Sequence, residues 1–505
     1  MPVLQAGSVN TTALIVPDLY VQVVPPSVSL LNGVPTNLLA IAGTASWGPV
    51  GAPVPFSSMA DYFQNFGPVM ARKYDLGTAA NAAILQGANN FMGVRVTDGT
   101  DVAATATIAL ASAPLATAMA AAINNGVSGV RGPSQLVVAT VSTTSLVLTA
   151  LYTGSRGNLL QSVTGAGSAA TTSKITIALP GQIPEVFDNI GISAASVITS
   201  TFASGTDGAT TITSAVLIGV DTVPRKGMYA FRNTQASVGV LADADDVSLW
   251  STQASFGLSE GIYMIAVGPV SQSISAYATA TAAVDTYALC PMLGDWIYFK
   301  DVVNNQTRLI SPQGFKAGKL VALGPNQSTL NKPLYGIIGT QKSYTSTVYS
   351  NAELQLISTA RGEVITNPSP GGQYFSCRFG RNCSSDQVIH GDNYTRMTNY
   401  IAYTLNAGMG KYIGRLQTVD ERREAWAKID TFLANMEGQG LIGDVNGGAS
   451  HQVVLDATNN PNSRVALGYQ QADVKVVYLS IIEVFLVNVE GGQSVTINRL
   501  STTSV

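Results

Sequence analysis

The chain has 505 residues, 11% of them charged and 46% hydrophobic, with a formal net charge of −3. That length exceeds what one hydrophobic core supports and calls for several domains, while the slightly acidic balance offers no basic field to a phosphate backbone, which argues against direct nucleic-acid binding. The charged fraction falls well below the roughly 25% of an average soluble protein, and so uncharged a surface favours faces covered by partners.

Residues 1 to 26 read as an extended arm: Leu14-Ile15-Val16 and Tyr20 to Val24 are β-branched, loosely alternating material closed by Pro25-Pro26. Leu38 to Ala45 is a short apolar run ended by Trp47-Gly48-Pro49 and predicts a buried strand. Ser57 or Ser58 caps a short helix through Asp61-Tyr62-Phe63 that Gly67-Pro68 stops, a second helix runs from Asp75 towards Gly87, and Phe91 to Val96 follows as a strand. Together these make a β-α-β unit. From Asp101 to Thr213 only seven charged residues occur among abundant Thr, Ser, Ala and Gly, and the runs Gln135 to Thr140, Leu146 to Leu151 and Lys174 to Ala178 predict strands of an inserted β domain. The α/β rhythm resumes at Ala215 to Val220, with helices over Asp245 to Phe256 and Ser273 to Leu289, and strands at Ile262 to Val267 and Trp296 to Phe299.

In the last third, Thr418-Val419-Asp420-Glu421 matches the capping-box pattern. Trp426, Ile429, Phe432, Leu433 and Met436 recur at helical spacing and are expected to face a core, with Gly438 and Gly440 ending the run. Val474 to Val489 predicts a long β stretch, and Gly491-Gly492 separates it from Ser494 to Ile497. The expected fold class is α/β and α+β multidomain. An α/β core (27–100 and 215–375) is interrupted by a mostly-β domain (101–214), followed by a C-terminal α+β domain (376–490), with extended β arms at 1–26 and 491–505.

No run of about 18 apolar residues suggests a membrane span, and the first Lys or Arg is Arg72, so no secretory leader is read and the chain is expected to stay in the cytoplasm where it is made. Three cysteines cannot all pair within one chain and predict reduced thiols. Cys377, Cys383 and His390, with Asp386 or Asp392, have spacings that do not match structural zinc sites, and no metal is expected. Gly438 to Gly443 spells G-x-G-x-x-G, but behind a helix, where it reads as a helix stop instead of a dinucleotide loop. Gly408-Met409-Gly410-Lys411 lacks the first glycine of a phosphate loop, Leu405 standing in its place. No catalytic residue or cofactor is predicted. The charges Asp420 to Glu424 fit two readings, a contact face for another protein or a solvated first turn with i, i+3 or i, i+4 pairs.

Several stretches, in this order, resemble the contractile tail sheath family of phages, and specifically its Mu-related myovirus members. Val16 to Gln22 is similar to the family's P-G-V-Y-V opening, with Asp18 where Gly is usual, and Ala40 to Pro49 to its strand-turn signature ending in G-P. Ser311 to Gly318 resembles its P-x-G-x-x-A-G segment, followed by the Asn331-Lys332-Pro333 loop, and the helix ending Glu437 to Leu441 resembles its penultimate helix. The match skips the insertion. The resemblance implies a virion structural protein that is not an enzyme: hexameric rings stacked around a tail tube, assembled in the host cytoplasm, contracting from a metastable extended lattice, with baseplate and tail terminator proteins as further partners and no membrane insertion. It implies that Leu19, Val21 and Val23, and Val495 and Ile497, add strands to sheets of neighbours. The C-terminal domain would then face the tube, with Arg422, Arg423 and Glu424 towards it or a neighbour. The competing readings are a tube or capsid protein and, behind it, a multidomain α/β enzyme.

Overall fold

Leu39–Gly43, Phe91–Arg95 and Tyr263–Val267 are runs of five residues whose side chains are almost all buried, as strands covered on both faces must be. In the computed structural model, which describes residues 3–5, 21–23, 31, 33–191, 195–487 and 489, they belong to one six-stranded sheet. Its order is Leu289–Met292, Tyr263–Val267, Val238–Leu241, Leu39–Gly43, Phe91–Arg95, Pro53–Phe56. The first five strands are parallel and the last is antiparallel. Alternation along Leu39–Gly43 sends Leu39 and Ile41 to one core, with Tyr62, Phe66 and Phe315, and Ala40 and Ala42 to the other, with Trp250 and Tyr277.

Local chemistry sets the helices on this sheet. Ser58 caps Met59–Phe66 by accepting from the Asp61 N–H, and Gly67, at φ 88°, ends it. Asp75 caps Leu76–Ile84 through the Thr78 N–H at 2.7 Å. The glycines of the Ser311 to Gly318 segment let helix Gln313–Ala322 close onto Leu76–Ile84: a Cβ at Gly314 would lie 2.8 Å from the Ala79 carbonyl oxygen, and one at Gly318 2.4 Å from Ala83 Cα.

The segment after residue 100 forms two antiparallel sheets, Ala103–Ala109, Ser145–Thr153 and Val137–Ser142 in one, and Glu185–Ile190, Ser173–Ala178, Gln161–Ala166 and Thr199–Thr201 in the other. Ile108, Met119, Leu148, Ile175 and Phe187 share their core. Its helix, Ala113–Asn125, is absent from the sequence reading. Ser112 caps it, and Pro114 sits in the first turn, where its missing N–H costs no hydrogen bond. The two ends of the segment leave the core side by side. Asp98 N donates to Gly208 O at 2.8 Å, Val102 pairs with Thr206, and a Cβ on Gly208 would stand 2.8 Å from the Asp101 Cβ.

Other expectations shift. Ala215 to Val220 is a short helix, Ser214–Ile218, capped by Thr213, and the strand that resumes the sheet is Val238–Leu241. The helix expected from Ser273 stops at Ala282, because Leu289–Met292 is taken by the sheet edge. Ile297–Asp301 pairs antiparallel with Gln306–Ile310 and Ile337–Thr340 in a separate sheet.

The chain divides into two units: Pro35–Tyr400 with Leu479–Val505, and Met1–Val34 with Ile401–Tyr478. The smaller one packs helix Val419–Gly438 against the antiparallel pair His451–Val454 and Asp473–Val476. Helix Asp392–Met409, which the sequence reading missed, carries the chain from the larger unit into the smaller. The β stretch expected over Val474 to Val489 is a strand only as far as Val476. Residues 479–487 have no regular structure, since β-branched residues form a ladder only where another strand offers its N–H and C=O groups. No helix among the described residues is long and apolar enough to cross a membrane.

Candidate assembly surfaces

Of the residues expected to form arms, Leu19, Val495 and Ile497 lie outside the described residues. Val21 and Val23 are in strand Val21–Val23, which pairs in parallel with Val3–Gln5 in the register Val3 with Val21 and Gln5 with Val23.

The helix carrying Arg422, Arg423 and Glu424 starts at Thr418, whose hydroxyl accepts from the Glu421 N–H at 3.2 Å. The reciprocal half of the box is replaced: the Glu421 carboxylate takes two bonds from Arg415, at 3.0 and 3.1 Å. Glu424 accepts from Lys411 at 2.7 Å and from the Tyr412 hydroxyl at 3.2 Å, and the Lys411 hydrogen bond holds its carboxyl below the usual range. Arg423 stands in solvent, its side chain 79% exposed and 3.9 Å from Asp420. Arg422 is half-buried. The three residues therefore differ: Glu424 is engaged within its own unit, and Arg423 projects freely.

On the opposite face Ile429, Phe432, Leu433 and Met436 are buried. Trp426 corrects the expectation that it faces the core: it is 40% exposed, its ring at the helix edge with Nε1 donating to Val453 O at 3.0 Å. An indole needs a partner for its N–H, and the end of strand His451–Val454 supplies one at the rim.

A second surface follows residue 479 in the larger unit. Ile482, Val484, Phe485, Leu486 and Val487 are each more than 60% exposed, an apolar row that water does not favour. Glu483 anchors it, accepting from Arg381 Nη2 at 2.9 Å and meeting His390 Nε2 at 2.7 Å. The His390 hydrogen bond keeps the Glu483 carboxyl below its ordinary range. His390 thus binds the carboxylate of a distant segment. Cys377 and Cys383 are buried free thiols; burial pushes Cys383 up to about 11, and its Sγ donates to Val284 O at 3.2 Å. Among the described residues no group of three or more His, Cys, Asp and Glu is placed to hold a metal ion.

Sequence reasoning missed the polar centre of the larger unit. Lys316, Glu363 and Asp392 are fully buried and Arg396 almost so. Lys316 Nζ lies 2.8 Å from Glu363 Oε2 and 3.1 Å from Asp392 Oδ1. Asp392 also accepts from the Tyr263 and Thr329 hydroxyls, each at 2.6 Å, and Arg396 donates to the carbonyls of Leu323, Gly324 and Thr36. The partners come from five separate segments, and no local pattern marks them.

No protein-family model matches the sequence, and neither does any curated protein. Solved structures do match in fold. The sheath tail protein of Listeria innocua aligns at a TM-score of 0.58 and 13% identity, over 88% of this chain and 96% of that one. The sheath tail protein of Desulfitobacterium hafniense aligns at 0.54 and 14%, over 86% and 93%. The helical sheath of the anti-feeding prophage in its contracted state aligns at 0.55 and 11%, over 94% and 99%. Agreement in fold along nearly the whole of each chain, despite such low identity, shows that this chain has the fold of the contractile tail sheath proteins.

Proposed function

We propose that the chain is a structural subunit of a phage-type contractile tail sheath and not an enzyme. The observation that carries this reading is the likeness of fold to sheath proteins over 86% to 95% of the chain, contracted sheaths included. In this reading copies stack as hexameric rings around a tail tube, bounded by baseplate and terminator proteins, and a metastable extended lattice converts to a contracted one. A heterologous head-to-tail contact generates such an open helix. Switching between two packings of rigid bodies needs no cofactor.

The 101–214 domain is assigned to the outside of the sheath, a role supported by the adjacency of its two ends. The arms, through Val21, Val23 and the residues after 490, join neighbours by strand addition, which holds through main-chain hydrogen bonds while the bodies rotate. Arg423, the most exposed of the three charged residues on its helix, and Arg422 are assigned to the tube or a neighbouring subunit. Negative-stain microscopy of the purified chain tests the reading: hollow tubes are expected, and a stable monomer over a wide range of concentration and salt would overturn it. Deleting residues 1–26 is expected to leave a folded subunit that builds no connected lattice. Replacing Arg422 and Arg423 by Glu is expected to preserve the fold and weaken assembly on the tube.

A further inference from the structure

The charges of the buried centre sum to zero, Lys316 and Arg396 against Glu363 and Asp392, yet four ionised groups out of water carry a large desolvation cost. Each is held in a fixed geometry. Glu363 accepts from the main-chain N–H groups of Gly380 at 2.7 Å, Phe379 at 3.0 Å and Val364 at 3.1 Å. Asp392 is clamped on both oxygens, Oδ1 by Tyr263 and Oδ2 by Thr329. An amine and a carboxyl group are thus confined together, beside a second carboxylate that contacts the amine. Confinement of this kind replaces an encounter between solutes by a unimolecular step.

We propose that Lys316 and Asp392 condense to an intramolecular isopeptide bond, with Glu363 as the proton carrier. Glu363 takes one proton from the ammonium across the 2.8 Å contact and delivers it to the Asp392 oxygen that will leave. The neutral Nζ attacks Cγ of Asp392, while the Tyr263 and Thr329 hydroxyls support the charge on its oxygens. Glu363 then removes a second proton from nitrogen and returns it to the same oxygen, which departs as water. The C–O bond breaks, the C–N bond remains, and one proton stays on the amide nitrogen. The overall change is one ammonium plus one carboxylate to one amide plus one water, with no oxidant, reductant or activating nucleotide.

Two consequences follow from the surroundings. Amide formation removes two of the four buried charges, leaving Glu363 on its three N–H donors and Arg396 on its carbonyls. Before reaction the ion pair is the resting form. Burial is the strongest single influence and opposes the Lys316 ammonium, but the surrounding acidic groups, Asp392 first among them and Glu363 with it, together outweigh burial and hold the group protonated, so the proton transfer to Glu363 makes condensation slow. Asp392 is the first residue of the helix Asp392–Met409 that leads into the smaller unit. Lys316 lies in helix Gln313–Ala322 of the core. The bond would anchor the root of that helix covalently, so that tension along it meets helix Gln313–Ala322 before the intervening chain can unravel.

Intact-mass spectrometry of the denatured, reduced full-length chain tests the proposal, sampled at purification and through prolonged incubation at neutral pH. The expected result is a species lighter by one water that grows with time, in which trypsin no longer cuts after Lys316. A branched peptide should join the Lys316 and Asp392 segments. The unmodified sequence mass at every time, or a water loss that maps elsewhere, would overturn it. Glu363→Gln, checked for native circular dichroism, is expected to slow the conversion by about a hundredfold. An unchanged rate in the folded variant removes Glu363 from the step, and should that variant not fold, the wild-type mass remains decisive.

Discussion

Excising residues 102–206 and joining Asp101 to Asp207 through a short Gly/Ser link tests whether the inserted domain is separable from the sheath core. The ends are close enough, since a Cβ on Gly208 would be 2.8 Å from that of Asp101. The cost falls mainly on Trp47, a core residue 2% exposed that packs in the insertion's cluster, edge-on to Tyr152 at 5.4 Å. Exposing about 200 Å² of indole at about 25 cal/mol per Å² destabilises by about 5 kcal/mol. Arg95 loses the Thr153 carbonyl but retains those of Gly48 at 2.8 Å and Asp207 at 3.3 Å, which adds about 1 kcal/mol. Asp207 loses the Ser155 N–H and keeps Arg72 at 2.6 Å. The excised chain should therefore unfold at markedly lower urea. Adding Trp47→Thr should recover solubility, since no indole is then left bare. Both forms should still make tubes under the microscope. A cooperatively folded excised chain that makes none would refute the outer, separable role, and a failure to fold even with Trp47→Thr would refute the energetic account.

Trp426→Ala should cost about 1–2 kcal/mol, one hydrogen bond and part of an indole, whereas Phe432→Ala, at 4% exposure, should cost about 3–5 kcal/mol in the same urea titration; equal losses would contradict the edge position of Trp426. Burial pushes the Asp75 carboxyl up to about 7, against hydrogen bonds from Thr78 that favour its charged form. The folded state therefore keeps a proton that the unfolded chain has lost, so the contribution is complete below 3.8 and declines as the pH rises to about 7. Asp75→Asn, which can still cap the helix, should flatten that part of the profile of melting temperature against pH, and an unaltered slope would reject the assignment. Glu353, held at about 2 by Lys342 and by the capping-box bonds of Ser350, should titrate nearer its ordinary 4.5 in Lys342→Met by NMR. Ser350→Ala should cost about 1 kcal/mol in thermal unfolding, and no loss would deny the cap an energetic role.

The sequence alone determined what depends on neighbours along the chain. Ser58 and Asp75 cap the helices they precede, Gly67 stops the first, and apolar runs at 39–43, 91–95 and 263–267 become buried parallel strands. Such features are legible because a cap, a left-handed turn or a continuous apolar run is satisfied within a few residues. The glycines of the Ser311 to Gly318 segment were legible as a motif, but only packing on Ala79 and Ala83 explains them. Tertiary structure alone decided where Trp426 lies, because helical spacing places a residue on a face and not at its rim. It also decided that the β-branched stretch after Val476 leaves the ladder, since strand propensity is realised only beside a partner. The association of Lys316, Glu363, Asp392 and Arg396 has no sequence signature: each charge looks like a solvated one until the fold withdraws water and leaves the others as its only partners.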